Sequence, residues 1–320
     1  MDQTQYYSEA LFMFHKHYQT RFQTFTVSMR EITAGYSMAS ICSPEVKDGN
    51  EARIYLQKNP TDQVIILLHG LSDSPHYVSA IGESFFKAGA NVIIPLMPAH
   101  GLKDPDEAME DCRLDAKWKL EIDTAVEIAR LLGGKISLGG FSSGGAVCYN
   151  KVLRDSNLIT GGLFLFAAAI DVKLRHELRL VQFVTRLAQR TDGEIKGCGM
   201  DPFKYPKLPL FAALELGQII SENLKLSKGL RINQPVFVAH GIHDKTAKFA
   251  AIIKLLKKHT KKGVLYTIAN KMAHAELPLK NDIVLDENYK LGKPAYANPD
   301  FDLMMKSCIS FYENRVVKTT

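Results

Sequence analysis

The sequence predicts an α/β protein, a doubly wound and mostly parallel sheet interrupted by a helical insertion. Three observations carry that expectation. Short, continuous apolar runs such as VIILLH (Val64–His69) recur along the chain, as strands buried on both faces require. Between them lie stretches whose apolar residues recur three and four apart, the period of an amphipathic helix. The alternation then breaks over residues 171–231, where the pattern is mostly helical with a Pro-rich patch at Asp201 to Leu210, and resumes afterwards.

Taken in order, Gln3 to Gln19 reads as a helix with Tyr6, Ala10, Leu11 and Phe14 on one face. Phe25 to Ile32 and Ala52 to Gln57 alternate and are rich in strand formers, and SPEVKDGNE between them is loop material. After the Val64–His69 strand, Tyr77 to Lys87 is a helix closed by Gly89, and Asn91 to Leu96 is the next strand. Leu114, Trp118, Ile122, Ala125, Ala129 and Leu132 mark a helix that Gly133 and Gly134 stop. Strands follow at Lys135 to Gly140 and Gly162 to Ala167, with a helix between them. Beyond the interruption come a strand at Pro235 to Gly241, a helix at Ala247 to Lys258, a strand at Val264 to Ala269 and a last helix at Asp302 to Tyr312. The expected organisation is a core of residues 1–170 and 232–320, its first sixty residues an extension. Residues 171–231 are expected to form a cap over the carboxyl edge of the sheet, where open α/β sheets bind ligands.

Composition narrows the class. Of 320 residues, 46% are hydrophobic and 23% charged, the balance of a globular protein with a sizeable core. The net charge of +6 is modest. The lysine-rich KLLKKHTKKG (Lys254 to Gly263) has no interleaved aromatic residues, so it reads as a solvated helix face and no nucleic-acid partner is expected. Five cysteines without a close-spaced pair argue against a disulfide framework or a zinc ribbon. The start MDQTQYYSEALF has no long apolar core, and no apolar run is long enough to span a bilayer, so a cytoplasmic location is the expectation.

GGFSSGGA (Gly139 to Ala146) lies between a buried strand and a helix. Gly140-Phe141-Ser142-Ser143-Gly144 fits G-x-S-x-G in that setting, a sharp strand-to-helix turn that lifts a serine hydroxyl above the sheet. Glycines two residues before and after the serine, Gly140 and Gly144, allow strand and helix to approach without Cβ clashes. Ser142 is therefore the candidate nucleophile. The base expected for it is His274, on a loop after the last strand. The acid expected to orient that base is Asp244, just beyond the Pro235–Gly241 strand, with Asp171 as its rival after an earlier strand. His240-x-x-His243-Asp244 matches no strong zinc spacing, and no metal or other cofactor is expected. Backbone N–H groups of Ser143 and Leu71 are the candidate donors to a developing oxyanion.

With LLHGLSDS, PLMPAHG, GGFSSGG, HGIHD and AHAEL in this order, the sequence resembles the α/β-hydrolase superfamily, in particular the bacterial carboxylesterase and monoacylglycerol lipase type. The resemblance covers roughly residues 62 to 315 and is weak over 171–231. It departs in Ala99 within Pro98-Ala99-His100-Gly101, in Phe141 where many lipases carry histidine, and in residues 278–301, which lack a counterpart. It implies an α/β-hydrolase fold, a Ser142–Asp244–His274 triad and oxyanion donors at Leu71 and Ser143; the apolar residues between Asp171 and Arg231 add the expectation of a small ester substrate with an apolar acyl chain. Thioester or amide cleavage by the same set, and a silent binding scaffold, are the competing readings.

Overall fold

The computed structural model describes residues 6–33, 36–172, 201–205, 207, 209–283 and 296–318. Among them, nine strands form one sheet in the order β1-β2-β3-β5-β4-β6-β7-β8-β9. The strands are β1 (Thr26–Thr33), β2 (Tyr36–Cys42), β3 (Arg53–Leu56), β4 (Gln63–Leu68), β5 (Asn91–Ile94), β6 (Lys135–Phe141), β7 (Leu163–Phe166), β8 (Ile232–Gly241) and β9 (Thr260–Ile268). The pairings β1/β2, β2/β3 and β3/β5 are antiparallel. From β5 to β9 every pairing is parallel. The continuous apolar runs are the central parallel strands, and β5 and β7 are buried at every residue.

Helices cover both faces of this sheet. On one face lie α1 (Ser8–Gln19), α4 (Leu114–Arg130) and α5 (Ser143–Arg154), with α6 (Leu210–Leu226) packed beside them. Trp118, Ile122 and Val126 of α4 and Phe14 of α1 join one core there. On the other face lie α2 (His76–Lys87) and α8 (Phe301–Tyr312), where Ile81, Phe85, Met304, Cys308 and Tyr312 meet Phe164 and Phe237. A four-residue helical turn at Asp106–Met109, labelled α3, and α7 (Phe249–Lys254) complete the described helices.

Several elements differ from the sequence reading. Strand β2 has no clear alternation, because Ser37, Met38 and Ser40 dilute it and only Ala39 and Ile41 are fully buried. The helix expected to reach Lys258 gives way at Leu255 to a wider π turn, and β9 starts at Thr260. Within the stretch expected as a cap, α6 belongs to the helical layer. Asn223 Nδ2 donates to the Ala146 carbonyl at 2.9 Å, Asn150 donates to Asn223 Oδ1 at 2.9 Å, and Glu222 pairs with Lys119 of α4 at 3.1 Å. Residues 173–200, with Leu174, His176, Leu178, Val181, Val184, Leu187 and Cys198, lie outside the described residues, as does Leu208.

The N-terminal helix is tied in by a buried carboxylate. Glu121 of α4 accepts from His17 at 2.9 Å, from the Tyr18 hydroxyl at 3.0 Å and from Arg21 at 2.9 Å. The same Tyr18 oxygen accepts the Leu96 N–H at 3.0 Å, and Arg21 donates to the Leu96 carbonyl, so the two peptide groups flanking Leu96, just after β5, are both held. Burial pushes the Glu121 carboxyl up, but the Arg21 charge and the His17 and Tyr18 bonds outweigh it and hold the group below its usual value. Glu121 therefore stabilises the fold at pH values above the ordinary carboxylate range, and that contribution is lost as pH falls through its depressed native value. Glu121→Gln is expected to lower unfolding free energy by about 3 kcal/mol at neutral pH and to flatten the acid limb of stability. Urea denaturation at several pH values checks both; a change within about 0.5 kcal/mol contradicts the account.

Candidate active site

The sheet order reverses between β4 and β6, since β4 leads outward to β5 whereas β6 leads the other way to β7. The crevice at such a switch point, beyond the carboxyl ends of the strands, is where open α/β sheets bind ligands. The loop after β4 carries Leu71, and the turn after β6 carries Ser142.

Ser142 sits at φ 51°, ψ −116°, a region costly for a residue with a Cβ. Its backbone is pinned on both sides: the N–H donates to the Phe166 carbonyl at 3.0 Å, and the carbonyl accepts from Ala169 N–H at 2.9 Å. The flanking glycines are required by close approach. A Cβ on Gly140 would lie 2.4 Å from the Gly144 carbonyl carbon, and one on Gly144 would lie 2.4 Å from the Leu68 carbonyl oxygen. The first turn of α5 is thus pressed against the end of β4. Ser143 is the first residue of that helix, so its N–H has no acceptor within the helix.

Three side chains from three strand ends meet here. Ser142 Oγ lies 2.8 Å from His274 Nε2. His274 Nδ1 lies 2.6 Å from Asp244 Oδ2. An ionised carboxylate only accepts, so Nδ1 carries the proton and Nε2 is left to accept from the serine hydroxyl. Asp244 Oδ1 accepts from the N–H groups of Thr246 at 2.7 Å and Ala247 at 3.0 Å. Burial pushes the Asp244 carboxyl up, but the His274 bond and charge and these two amides leave it below its usual value. The rival acid, Asp171, is elsewhere: it pairs with Lys248 at 3.1 Å. His240 is fully buried with its Nε2 3.8 Å from Asp244 Oδ2, and desolvation holds it neutral by lowering its pKa. His243 is exposed, and no group of metal-ligating side chains gathers among the described residues.

The Leu71 loop is braced from several directions. His69 Nδ1 donates to the Gly70 carbonyl at 3.0 Å, while its Nε2 accepts Met97 N–H at 3.2 Å. Burial, then the neighbouring His100, keeps its pKa well down, so the ring holds this neutral tautomer. His100 packs edge-on against His69 with centroids 4.9 Å apart, and its own pKa falls to about 4 through desolvation. Tyr205 N–H donates to the Ser72 carbonyl at 2.7 Å, at a residue with φ 66°.

Asp73 and Lys204 went unrecognised in the sequence. The Asp73 side chain is 5% exposed, and Lys204 Nζ lies 3.2 Å from its Oδ1 and 4.4 Å from the centre of the Tyr77 ring. A Cβ on Gly70 would strike Asp73 Oδ2 at 2.2 Å and Phe141 at 2.9 Å, so carboxylate, loop and Phe141 are in close contact. The Phe141 ring in turn lies 5.2 Å from that of His274. An acid in the apolar setting of LLHGLSDSPHY was the available signal, but its partner is more than a hundred residues away. Phe203, stacked on His76 at 3.5 Å, docks the same segment over the loop. A concavity of about 780 Å³ lies instead on β1–β3 beside Arg30, Met38 and Tyr55. Side-chain geometry, not cavity size, selects the site.

No model of a protein family matches this chain, and no curated protein does. Solved structures do. One is from a study of LipS and LipT, two metagenome-derived lipolytic enzymes: 17% identity, TM-score 0.68, covering 84% of this chain and all of that one. A soluble variant of monoglyceride lipase from Saccharomyces cerevisiae, bound to a substrate analogue, is 12% identical with a TM-score of 0.61, covering 91% and 96%. A monoacylglycerol lipase from Paleococcus ferrophilus is 16% identical with a TM-score of 0.61, covering 80% and 96%. At such identities the likeness establishes the fold.

Lys204→Met leaves the Asp73 carboxylate buried without its counter-ion and is expected to cost about 3 kcal/mol of stability. Asp73→Asn together with Lys204→Met is expected to recover most of that loss. A double-mutant cycle by urea unfolding reads the coupling; additive single losses would contradict it.

Proposed function

We propose that this protein, whose fold is that of the α/β-hydrolases, is a serine hydrolase that cleaves carboxylic esters through an acyl-enzyme. The observation that carries the reading is the relay of 2.8 Å and 2.6 Å from Ser142 through His274 to Asp244. Ser142 Oγ attacks the ester carbonyl carbon as its proton passes to His274 Nε2. The Asp244 carboxylate, already ionised, steadies the imidazolium that forms. The carbonyl oxygen gathers negative charge beside the N–H groups of Leu71 and Ser143, which need not reorient to receive it. Collapse expels the alcohol, which takes the proton from Nε2. Water, activated by the same nitrogen, then attacks the acyl-enzyme, and the acid leaves. Every atom transferred comes from ester or water, so the reaction needs no cofactor. The lipolytic activity named for the similar structures supports an ester as substrate.

The substrate is read as a small ester of a short-to-medium acyl chain. An apolar slot gains about 0.8 kcal/mol per buried CH₂ until it is full. The segment at 201–205 supplies Phe203 and Tyr205 near the Leu71 loop, and residues 171–231 are too few to add a large lipid-binding face.

Ser142→Ala is expected to lower kcat by at least about 10⁴, and Asp244→Asn by about 10³. Ser143→Ala retains its N–H and should stay within about tenfold of the parent. Asp171→Asn should be mild. Steady-state kinetics on p-nitrophenyl esters of graded length checks these, together with the rise and plateau in kcat/KM. A dead Ser143→Ala beside an active Ser142→Ala, or a rate jump at an emulsion interface, overturns the reading.

A further inference from the structure

The positive charge of this protein is segregated. Residues 223–275 contain eleven lysines and arginines and a single acid, Asp244, whose side chain is 3% exposed. With a net charge of +6 overall, the rest of the chain is net negative. The fold gathers seven of the ten exposed lysines and arginines of that stretch at one end. Strands β8 and β9 run parallel, with Ile232 opposite Thr260 and Pro235 opposite Lys262. Arg231 donates to the carbonyls of Lys257 at 2.9 Å and Lys258 at 3.3 Å, which fastens the turn before β8 to the turn before β9. Lys225, Lys228, Arg231, Lys257, Lys258, Lys261 and Lys262 are all exposed there, and none forms an ion pair among the described residues.

A solvated charge run would be polar throughout. This end also exposes Leu226 (37%), Leu230 (43%) and Val264 (44%) among the lysines. Apolar side chains ringed by cations suit the boundary between anionic headgroups and acyl chains, where each Lys or Arg near the surface adds attraction and each apolar side chain adds burial. A nucleic acid would use the charge but not the leucines, and no aromatic residue is exposed among them for a base to stack on. The surface lies at the amino ends of the parallel strands, whereas Asp244 and His274 follow their carboxyl ends. Ten residues of β8 separate the two, roughly 30 Å at strand rise.

We propose that the amino-terminal end of β8 and β9 docks on an anionic lipid surface and holds the active site facing away from it. The bound protein then presents its site to water, and the docking surface takes no part in turnover.

The test is co-sedimentation of the full chain with vesicles of phosphatidylcholine alone and of phosphatidylcholine with about 30% phosphatidylglycerol, in low and moderate salt. Binding is expected only with the anionic lipid, weakening as salt rises. Lys257→Glu, Lys258→Glu, Lys261→Glu and Lys262→Glu combined should weaken it by at least about tenfold. Leu226→Ser with Leu230→Ser should weaken it about threefold or more. Both variants, and the parent with or without vesicles, should hydrolyse a soluble ester at the same kcat/KM, which also shows that the variants are folded. Equal binding to both vesicle types, no binding to either, or unchanged binding by the leucine variant overturns the proposal. So does tighter retention by an oligonucleotide duplex than by vesicles, with the leucines irrelevant, which assigns the surface to nucleic acid.

Discussion

The strained backbone of Ser142 is the constraint on which the rest of the site depends. A serine at φ 51°, ψ −116° is not a local preference, and it persists because its surroundings leave it no alternative. The Phe166 carbonyl and the Ala169 N–H fix its peptide groups, and both belong to the neighbouring strand end. Gly140, Gly144 and Gly145 let α5 start within van der Waals contact of β4 and β7, which no side chain would permit. The same compression sets the first turn of α5 against the Leu68 and His69 carbonyls, where the loop that carries Leu71 begins. The turn that holds Ser142 and the start of that loop are therefore fixed by one packing event. It sits where the sheet order turns between β4 and β6, so the loops of these two strands open on the same crevice.

Strain of this kind needs a rigid frame, and the frame extends well beyond the triad. All four non-glycine residues with positive φ among those described, Ser72, Ala99, Ser142 and Ala167, lie in loops at the carboxyl edge of the sheet. Each is held by neighbours that are themselves held. Glu121 gathers Tyr18 and Arg21, these grip Leu96, the next N–H reaches His69, and His69 bonds the Gly70 carbonyl. From the opposite side, Lys204 and Tyr205 hold Asp73 and Ser72. The N-terminal helix and the segment at 201–205, distant in sequence, thus bear on one loop.

The parallel strands were legible in the sequence because burial on both faces leaves a continuous apolar signature, as in Val64–Leu68 and Leu163–Phe166. The serine, histidine and aspartate that meet in the structure were legible because turn chemistry and strand order confine each to one place. Strand β2 was not, since its contribution is pairing between β1 and β3 more than burial. Helix α6 was read as part of a cap because its apolar period says that it packs but not against what; Asn223, reaching Ala146 and Asn150, decides that. Asp73 with Lys204, and Glu121 with its three donors, are pairings across long separations, which no local pattern encodes. The lysine run alone reads as a solvated face; the exposed Leu226 and Leu230 that the fold brings to the same end belong to an earlier segment.

The central claim is that this geometry makes one serine, and not its neighbour, nucleophilic. The most direct measurement is reaction of the folded protein with a fluorophosphonate, followed by peptide mapping by mass spectrometry. The account predicts one adduct per chain, on Ser142, formed far more slowly after Asp244→Asn or after unfolding. An adduct on Ser143, label spread over several residues, or no adduct on the folded chain would contradict it.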